Sequence, residues 1–156
     1  SGVYIVAHSM GGLASRAYLQ YFNDDKVKGL ITIASPHLGT YVARLDILGI
    51  GGDIAKQLVV DSDDLKLLND FARYPLPEHV HYFALMIRGF NTAGVDNLYS
   101  EDEGDGIVPL WSQTVPGWDH QEIIIEEDEF LRIQVHTLAT SAAHVAKRVW
   151  EKLLSW

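Results

Sequence analysis

The spacing of apolar and polar positions changes several times along the chain, and each change marks an element. Residues 3–7 form a short, β-branched apolar run that stops before Gly11-Gly12, which predicts a buried strand. From Met10 the period becomes helical, with Met10, Leu13, Ala14, Ala17, Tyr18 and Tyr21 on one apolar face. Asn23-Asp24-Asp25 ends that helix, and residues 29–34 read as a second buried strand followed by a loop over 35–40. Residues 41–75 hold Gly49, Gly51 and Gly52 between two weakly helical stretches. The second stretch starts at Asp61-Ser62, carries Leu65, Leu68, Phe71 and Ala72, and is ended by Pro75 and Pro77. Residues 79–87 are the longest strand candidate and are apolar on both faces, as in a strand covered on both sides. Residues 89–106, rich in Gly, Asn and Asp, predict a long loop, and 122–126 a fourth strand. Ser141 is the expected N-cap of a last helix with Val145, Ala146, Val149 and Leu153 on one face.

Strand, helix, strand, helices, strand, strand, helix is the pattern of an α/β fold: a mainly parallel sheet with helices on both faces. A length of 156 residues fits one domain, 1–156, and no repeat, low-complexity tract or linker interrupts it. The first strand begins at the chain's first residues. A natural chain rarely starts in mid-strand, so a further part of the protein upstream of Ser1, with additional strands, is expected.

Charge and composition narrow the classes. A net charge of −9 with only 12 basic residues, none of them clustered, argues against a nucleic-acid partner. The absence of cysteine removes disulfides, thiolate catalysis and Cys-based zinc sites. No apolar run is long enough for a transmembrane segment. Gly11-Gly12 lacks the third Gly or the Lys that a phosphate-cradling loop needs, which disfavours a nucleotide-binding domain.

Chemistry enters at Ala7-His8-Ser9-Met10-Gly11, between the first strand and the first helix. A tight strand-to-helix turn of this kind requires small residues two before and two after the Ser. It lifts the hydroxyl above the sheet edge and aims the Met10 N–H at a substrate oxygen. A Ser that only N-caps the helix would share the same short pattern. The motif resembles the nucleophile elbow of α/β-hydrolase lipases and esterases, where Ala-His-Ser-Met-Gly-Gly is a familiar variant. The likeness continues through Ile31-Thr32-Ile33-Ala34-Ser35-Pro36-His37-Leu38-Gly39-Thr40 and through Gln57-Leu58 and Leu65-Lys66-Leu67-Leu68-Asn69, which are similar to the post-elbow strand and the cap helices. The resemblance implies Ser9 as nucleophile, Met10 as an oxyanion donor and 41–75 as a cap segment. It also implies a second oxyanion donor from a loop after an earlier strand, upstream of Ser1.

A serine nucleophile needs an imidazole base, and the imidazole needs a carboxylate on its other nitrogen. In this family the chain order is Ser, acid, His. Gly104-Asp105-Gly106-Ile107-Val108-Pro109 resembles the Asp-Gly-x-Val-Pro segment that carries the acid, with Glu101, Asp102 and Glu103 as rivals and simple turn formation at Asp105 as the bland alternative. Of seven histidines, His8 adjoins the nucleophile and cannot fold back onto it, and His37 reads as a local hydrogen-bonding residue. His79 and His81 stand at a strand start and His144 lies inside the last helix. His120 precedes the 122–126 strand, at the wrong end of the sheet. His136 follows that strand, and Val135-His136-Thr137-Leu138 resembles the base loop, so the expected triad is Ser9, Asp105 and His136. The link over 127–133 is longer than in the family pattern and is expected as a hairpin or a strand continuation. The acidic groups at 101–105 and 126–129 lack calcium-loop spacing and read as solvated charge. The expected activity is hydrolysis of carboxylic esters of hydrophobic acyl groups through an acyl-enzyme, with no metal or organic cofactor. Amide hydrolysis, acyl transfer and a non-catalytic hydrolase module remain as alternatives.

Overall fold

The computed structural model describes residues 2–41, 52–91, 103–125 and 136–156. The link over 127–133 and most of the loop over 89–106 lie outside them. Four strands form one sheet in the order β1 (Val3–His8), β2 (Val27–Ile33), β3 (His81–Arg88) and β6 (Asp119–Ile124). Every neighbouring pair is parallel. The chain therefore enters each strand from the same end, and all the loops after the strands gather along one edge, where open α/β sheets bind ligands.

Both faces of the sheet are covered. Side chains alternate along a strand, so Ile31, Ile33, Phe83, Leu85 and Ile87 point one way and pack beneath α4 (Ala143–Ser155) through Val145, Val149 and Leu153. Leu30, Ala84 and Met86 point the other way and meet Leu19 of α1 (Met10–Phe22) and Trp118. Apolar side chains on both faces of β2 and β3 are what makes these central strands read as unbroken hydrophobic runs.

α1 departs from its expected orientation. It buries Gly12, Arg16, Leu19 and Gln20 on one side, and Leu13 against Ala55, Leu58 and Leu65. The predicted apolar face looks elsewhere: Met10, Tyr18 and Tyr21 are 41%, 41% and 51% exposed. The reason is that two of the buried positions are polar, which hides the stripe from a hydrophobic pattern. Arg16 donates to Asn69 Oδ1 at 2.7 Å, and Gln20 Nε2 donates to the Leu68 and Tyr74 carbonyls. Met10, Leu13, Ala14, Ala17 and Tyr21 instead face α2 (Gly52–Gln57) and α3 (Asp63–Leu68) across a groove.

Other boundaries shift for local reasons. Ser62 caps α3 by accepting the Leu65 N–H, as its sequence suggests, but the helix stops at Leu68. Phe71 and Ala72 follow in turns, because the Asp70 N–H bonds Leu67 O and the Phe71 N–H bonds Asn69 O in place of the helical carbonyls, and the Asp70 carboxylate takes the Arg73 N–H. Ser141 does not cap α4: its hydroxyl donates to the Leu138 carbonyl at 3.2 Å, and Ala142 occupies the cap position. The fourth strand starts at Asp119, three residues before its predicted start, so His120 lies inside β6 and not ahead of it. Within the stretch read as loop, β4 (Phe90–Asn91) and β5 (Glu103–Gly104) form a short antiparallel pair. That pair is tied to β3 through Arg88, which bonds Glu103 at 2.7 Å and Glu122 at 3.0 Å. Among the described residues, no helix is long and apolar enough to cross a membrane.

Candidate active site

Ser9 stands between the last residue of β1 and the first of α1, with φ 52° and ψ −130°. A positive φ is costly for a side chain with a Cβ and persists only where the surroundings impose it. Here the Ser9 N–H continues the strand ladder to Ile33 O at 2.9 Å, while the next residue already begins the helix. The Ser9 hydroxyl makes no capping bond to α1, which removes the N-cap alternative.

The two glycines after Met10 have different work. A Cβ on Gly11 would lie 3.8 Å from the Ala7 methyl, an ordinary contact, so Ala7 and Gly11 leave a little slack in the turn. Gly12 has none: a Cβ there would come within 2.2 Å of Ser35 Oγ and 3.0 Å of Thr32 Cγ2. The close approach of α1 to β2 therefore depends on Gly12.

Asp105 is fully buried in the turn that follows β5. Its Oδ1 accepts the N–H groups of Ile107 at 2.9 Å and Val108 at 2.7 Å, and Gly106 with φ 88° completes the turn. Its Oδ2 accepts from His136 Nδ1 at 2.6 Å. One carboxylate thus organises the turn and faces the imidazole as well. Of its rivals, Glu103 pairs with Arg88 instead, and 101–102 lie outside the described residues.

His136 is 1% exposed. A carboxylate only accepts, so Nδ1 carries the hydrogen, and Nε2 is left with its lone pair toward Ser9 Oγ at 2.8 Å. Ser9, His136 and Asp105 form one chain of hydrogen bonds along the edge where β1, β3 and β6 end. Met10, the first residue of α1, has an N–H that the helix itself cannot use. The helix N-terminus adds a partial positive charge at that point.

The remaining histidines are elsewhere or otherwise engaged. His120 is exposed, three strands away, with Nδ1 at 3.2 Å from the Trp118 carbonyl. His79 bonds the Asp24 carbonyl, His81 stacks on Trp156, and His144 is exposed. His37 is buried, with Nε2 at 3.1 Å from Thr32 Oγ1. Burial, and then the charge of Arg16, hold its pKa well below the usual histidine value.

Two residues that sequence reasoning assigned no role join the site. His8 donates Nε2–H to the His136 carbonyl at 2.7 Å, and the two rings lie 4.7 Å apart. Gln113 sits between the end of β3 and the acid turn. Its Oε1 accepts the Ile87 N–H at 2.6 Å, and its Nε2 donates to Ile87 O at 2.8 Å and Val108 O at 3.0 Å. Nothing in the local sequence marks Gln113. His8 is conspicuous beside Ser9, but its partner is 128 positions away.

Beside the elbow, the groove between α1 and the α2–α3 pair encloses about 370 Å³. It is lined chiefly by apolar side chains, from Met10 at the elbow end to Tyr21, with Leu58, Leu65 and Leu68 opposite.

Comparison with known proteins agrees with this architecture. Residues 1–60 match the model of the PGAP1-like alpha/beta domain. Among solved structures, the mature form of Bacillus licheniformis lipase BlEst2 is 25% identical, with a TM-score of 0.65 over 90% of this chain and 63% of that one. Lipase 1 from Pelosinus fermentans is 18% identical, with a TM-score of 0.51 over 97% of this chain and 71% of that one. Phospholipase PlaB from Legionella pneumophila, 21% identical with a TM-score of 0.56, matches 72% of this chain and 27% of its own length. The chain thus spans less than two thirds of the Bacillus and Legionella proteins. No curated sequence matches significantly. By its parallel sheet and these likenesses, the chain has the α/β-hydrolase fold and is similar in structure to lipases and esterases.

Proposed function

We propose that this chain is the nucleophile-bearing part of a serine carboxylic ester hydrolase that acts on hydrophobic acyl esters. The observation that carries this reading is the hydrogen-bond chain Asp105–His136–Ser9, with spacings of 2.6 and 2.8 Å, ending on a serine held at positive φ. Ser9 Oγ attacks the ester carbonyl while its proton passes to His136 Nε2. Asp105 keeps Nδ1 protonated and stabilises the imidazolium that forms. The Met10 N–H, at the positive end of α1, faces the oxyanion of the tetrahedral intermediate. His136 then gives its proton to the leaving alkoxide, and the acyl group stays on Ser9. In the second half a water, deprotonated by His136, attacks the acyl carbon and releases the acid. No step calls for a metal or organic cofactor.

The substrate class is supported by the groove beside the elbow. Met10 both follows the nucleophile and lines an apolar trough, so an acyl chain leaving the Ser9 carbonyl has a dry surface to follow. The helices of 52–68 form the opposite wall, consistent with the 41–75 segment acting as a cap; its first part, 42–51, lies outside the described residues.

The test is turnover of p-nitrophenyl butyrate together with labelling by a serine-directed phosphonate, on the wild type and on Ser9→Ala. The wild type should turn over and become labelled on Ser9. The variant should lose several orders of magnitude in rate with its thermal midpoint nearly unchanged, since among the described residues the hydroxyl hydrogen-bonds to the His136 side chain. A wild type that neither turns over nor labels would make this a non-catalytic hydrolase module. Labelling without ester turnover, but with turnover of an amide or transfer to an alcohol, would move the reaction class and keep the residues.

A further inference from the structure

His8 takes no part in the nucleophilic or proton-transfer steps, yet it is the side chain that most directly joins the nucleophile's strand to the base. We propose that His8 is a positioning residue for His136: its Nε2–H, donated to the His136 carbonyl, and its ring, packed on the imidazole, set the distance from the base to Ser9. The inference rests on the reading of Ser9, His136 and Asp105 as nucleophile, base and acid.

The geometry supports this in three ways. First, the bond is short and its direction is fixed. A carbonyl only accepts, so at 2.7 Å the His8 Nε2 must carry the hydrogen. Second, the His136 carbonyl is open to it. The Thr140 N–H, which a continuing α-helix would give to His136 O, bonds Thr137 O at 3.3 Å. A buried carbonyl must find another partner, and His8 is that partner. Third, the link spans 128 residues and joins the end of β1, next to Ser9, to the segment before α4. The ring of His136 is oriented by Asp105 and Ser9, but its distance from the elbow depends on where its backbone lies. A shift of about 1 Å in such a group costs on the order of 100-fold in rate.

The charge state of His8 fits the same task. Burial lowers its pKa, and the neighbouring His136 lowers it further, while its bond to the His136 carbonyl and the Asp105 carboxylate act in the other direction. His8 is therefore neutral when His136 takes up the Ser9 proton. A neutral ring 4.7 Å away does not repel the imidazolium, whereas a second cation would.

Two variants separate positioning from packing. His8→Phe keeps a ring and removes the donor. His8→Gln carries an amide nitrogen as many bonds from Cα as Nε2 and restores the donor. With the full chain and p-nitrophenyl butyrate, His8→Phe should lose about 10- to 100-fold in kcat, with KM within about twofold. His8→Gln should recover to within about fivefold of the wild type. The far-downfield proton resonance of His136 Nδ1 should weaken in His8→Phe and return in His8→Gln. Unchanged kcat in His8→Phe, a loss confined to KM, or a Gln variant as slow as the Phe variant would overturn the proposal. If the wild type itself neither turns over nor labels with the phosphonate, the ester-hydrolase reading fails. The resonance then still decides whether His8 holds the ring.

Discussion

At the scale of single residues, the three groups at the centre differ in how their removal should register. On the proposed mechanism Ser9 and His136 act as one unit, so His136→Ala should lose as much rate as Ser9→Ala, and the double variant should lose no more. His120→Ala should stay within about tenfold of the wild type, since its ring is exposed and three strands away. Initial rates on one ester for the four proteins check this, and additive losses would separate the two residues. Gln113→Leu makes a subtler prediction. It leaves the buried Ile87 N–H and carbonyl without their side-chain partner, takes one of two donors from the Val108 carbonyl, and frees the Asp105 turn from β3. It should therefore lower the thermal midpoint and kcat together, by a few degrees and about tenfold. The segments that bring Ser9, Asp105 and His136 together stand out in the sequence because each resembles a short stretch of the lipase pattern: the strand-to-helix elbow, the Asp-Gly-x-Val-Pro turn and the loop after the last strand. Gln113 and His8 have no such pattern, because their roles arise only when distant segments meet.

At the scale of elements, strands are legible wherever both faces are buried, and less so where they are not. β2 and β3 read as apolar runs from the sequence, whereas the first four residues of β6, Asp119-His120-Gln121-Glu122, are polar and join the sheet through their ladder with Phe83–Met86 and the Glu122–Arg88 ion pair. Backbone pairing overrides side-chain pattern there. α1 carries the larger lesson. Its apolar stripe forms the groove wall, and its sheet-facing stripe contains Arg16 and Gln20, whose polar groups are met by Asn69, Leu68 and Tyr74. Hydrophobic periodicity finds an apolar face but cannot say what it will face. The groove runs along α1 from Met10 to Tyr21, about 16 Å at 1.5 Å per residue. An extended acyl chain advances about 1.3 Å per methylene, from single bonds of about 1.5 Å, so roughly a dozen carbons fit. Ala17→Trp should fill the groove midway. Activity on p-nitrophenyl butyrate should then persist while activity on the laurate ester falls at least tenfold. Equal losses on both esters would place the acyl chain elsewhere.

At the scale of the whole molecule, two features follow from how the sheet is covered. The first is acid sensitivity. His37 is buried with its pKa well below the usual value, so the unfolded chain binds more protons than the folded one between that depressed pKa and about 6.5. Stability should therefore fall as pH drops below about 6.5, with His37 adding up to about 1.4 kcal/mol per pH unit to the slope. Urea midpoints from pH 7.5 to 5 should decline more steeply for the wild type than for His37→Gln, and parallel declines would remove His37 as a cause. The second feature is β1, the edge of the described sheet, which pairs on one side with β2. Val3, Tyr4 and Val6 are 52%, 42% and 45% exposed on it, so among the described residues an apolar strand presents its outer backbone edge to any chain that approaches. Proteins blunt such edges with lysine, proline or a covering segment, and β1 itself contains neither residue. Residues 1–156 on their own should therefore self-associate through β1 at micromolar concentration. Val6→Lys should shift the elution volume toward the monomer, because a charge on the strand opposes pairing with a second copy. Size-exclusion chromatography of the two proteins decides it: a wild type that elutes as a monodisperse monomer, with Val6→Lys no different, would show that this edge attracts no partner strand.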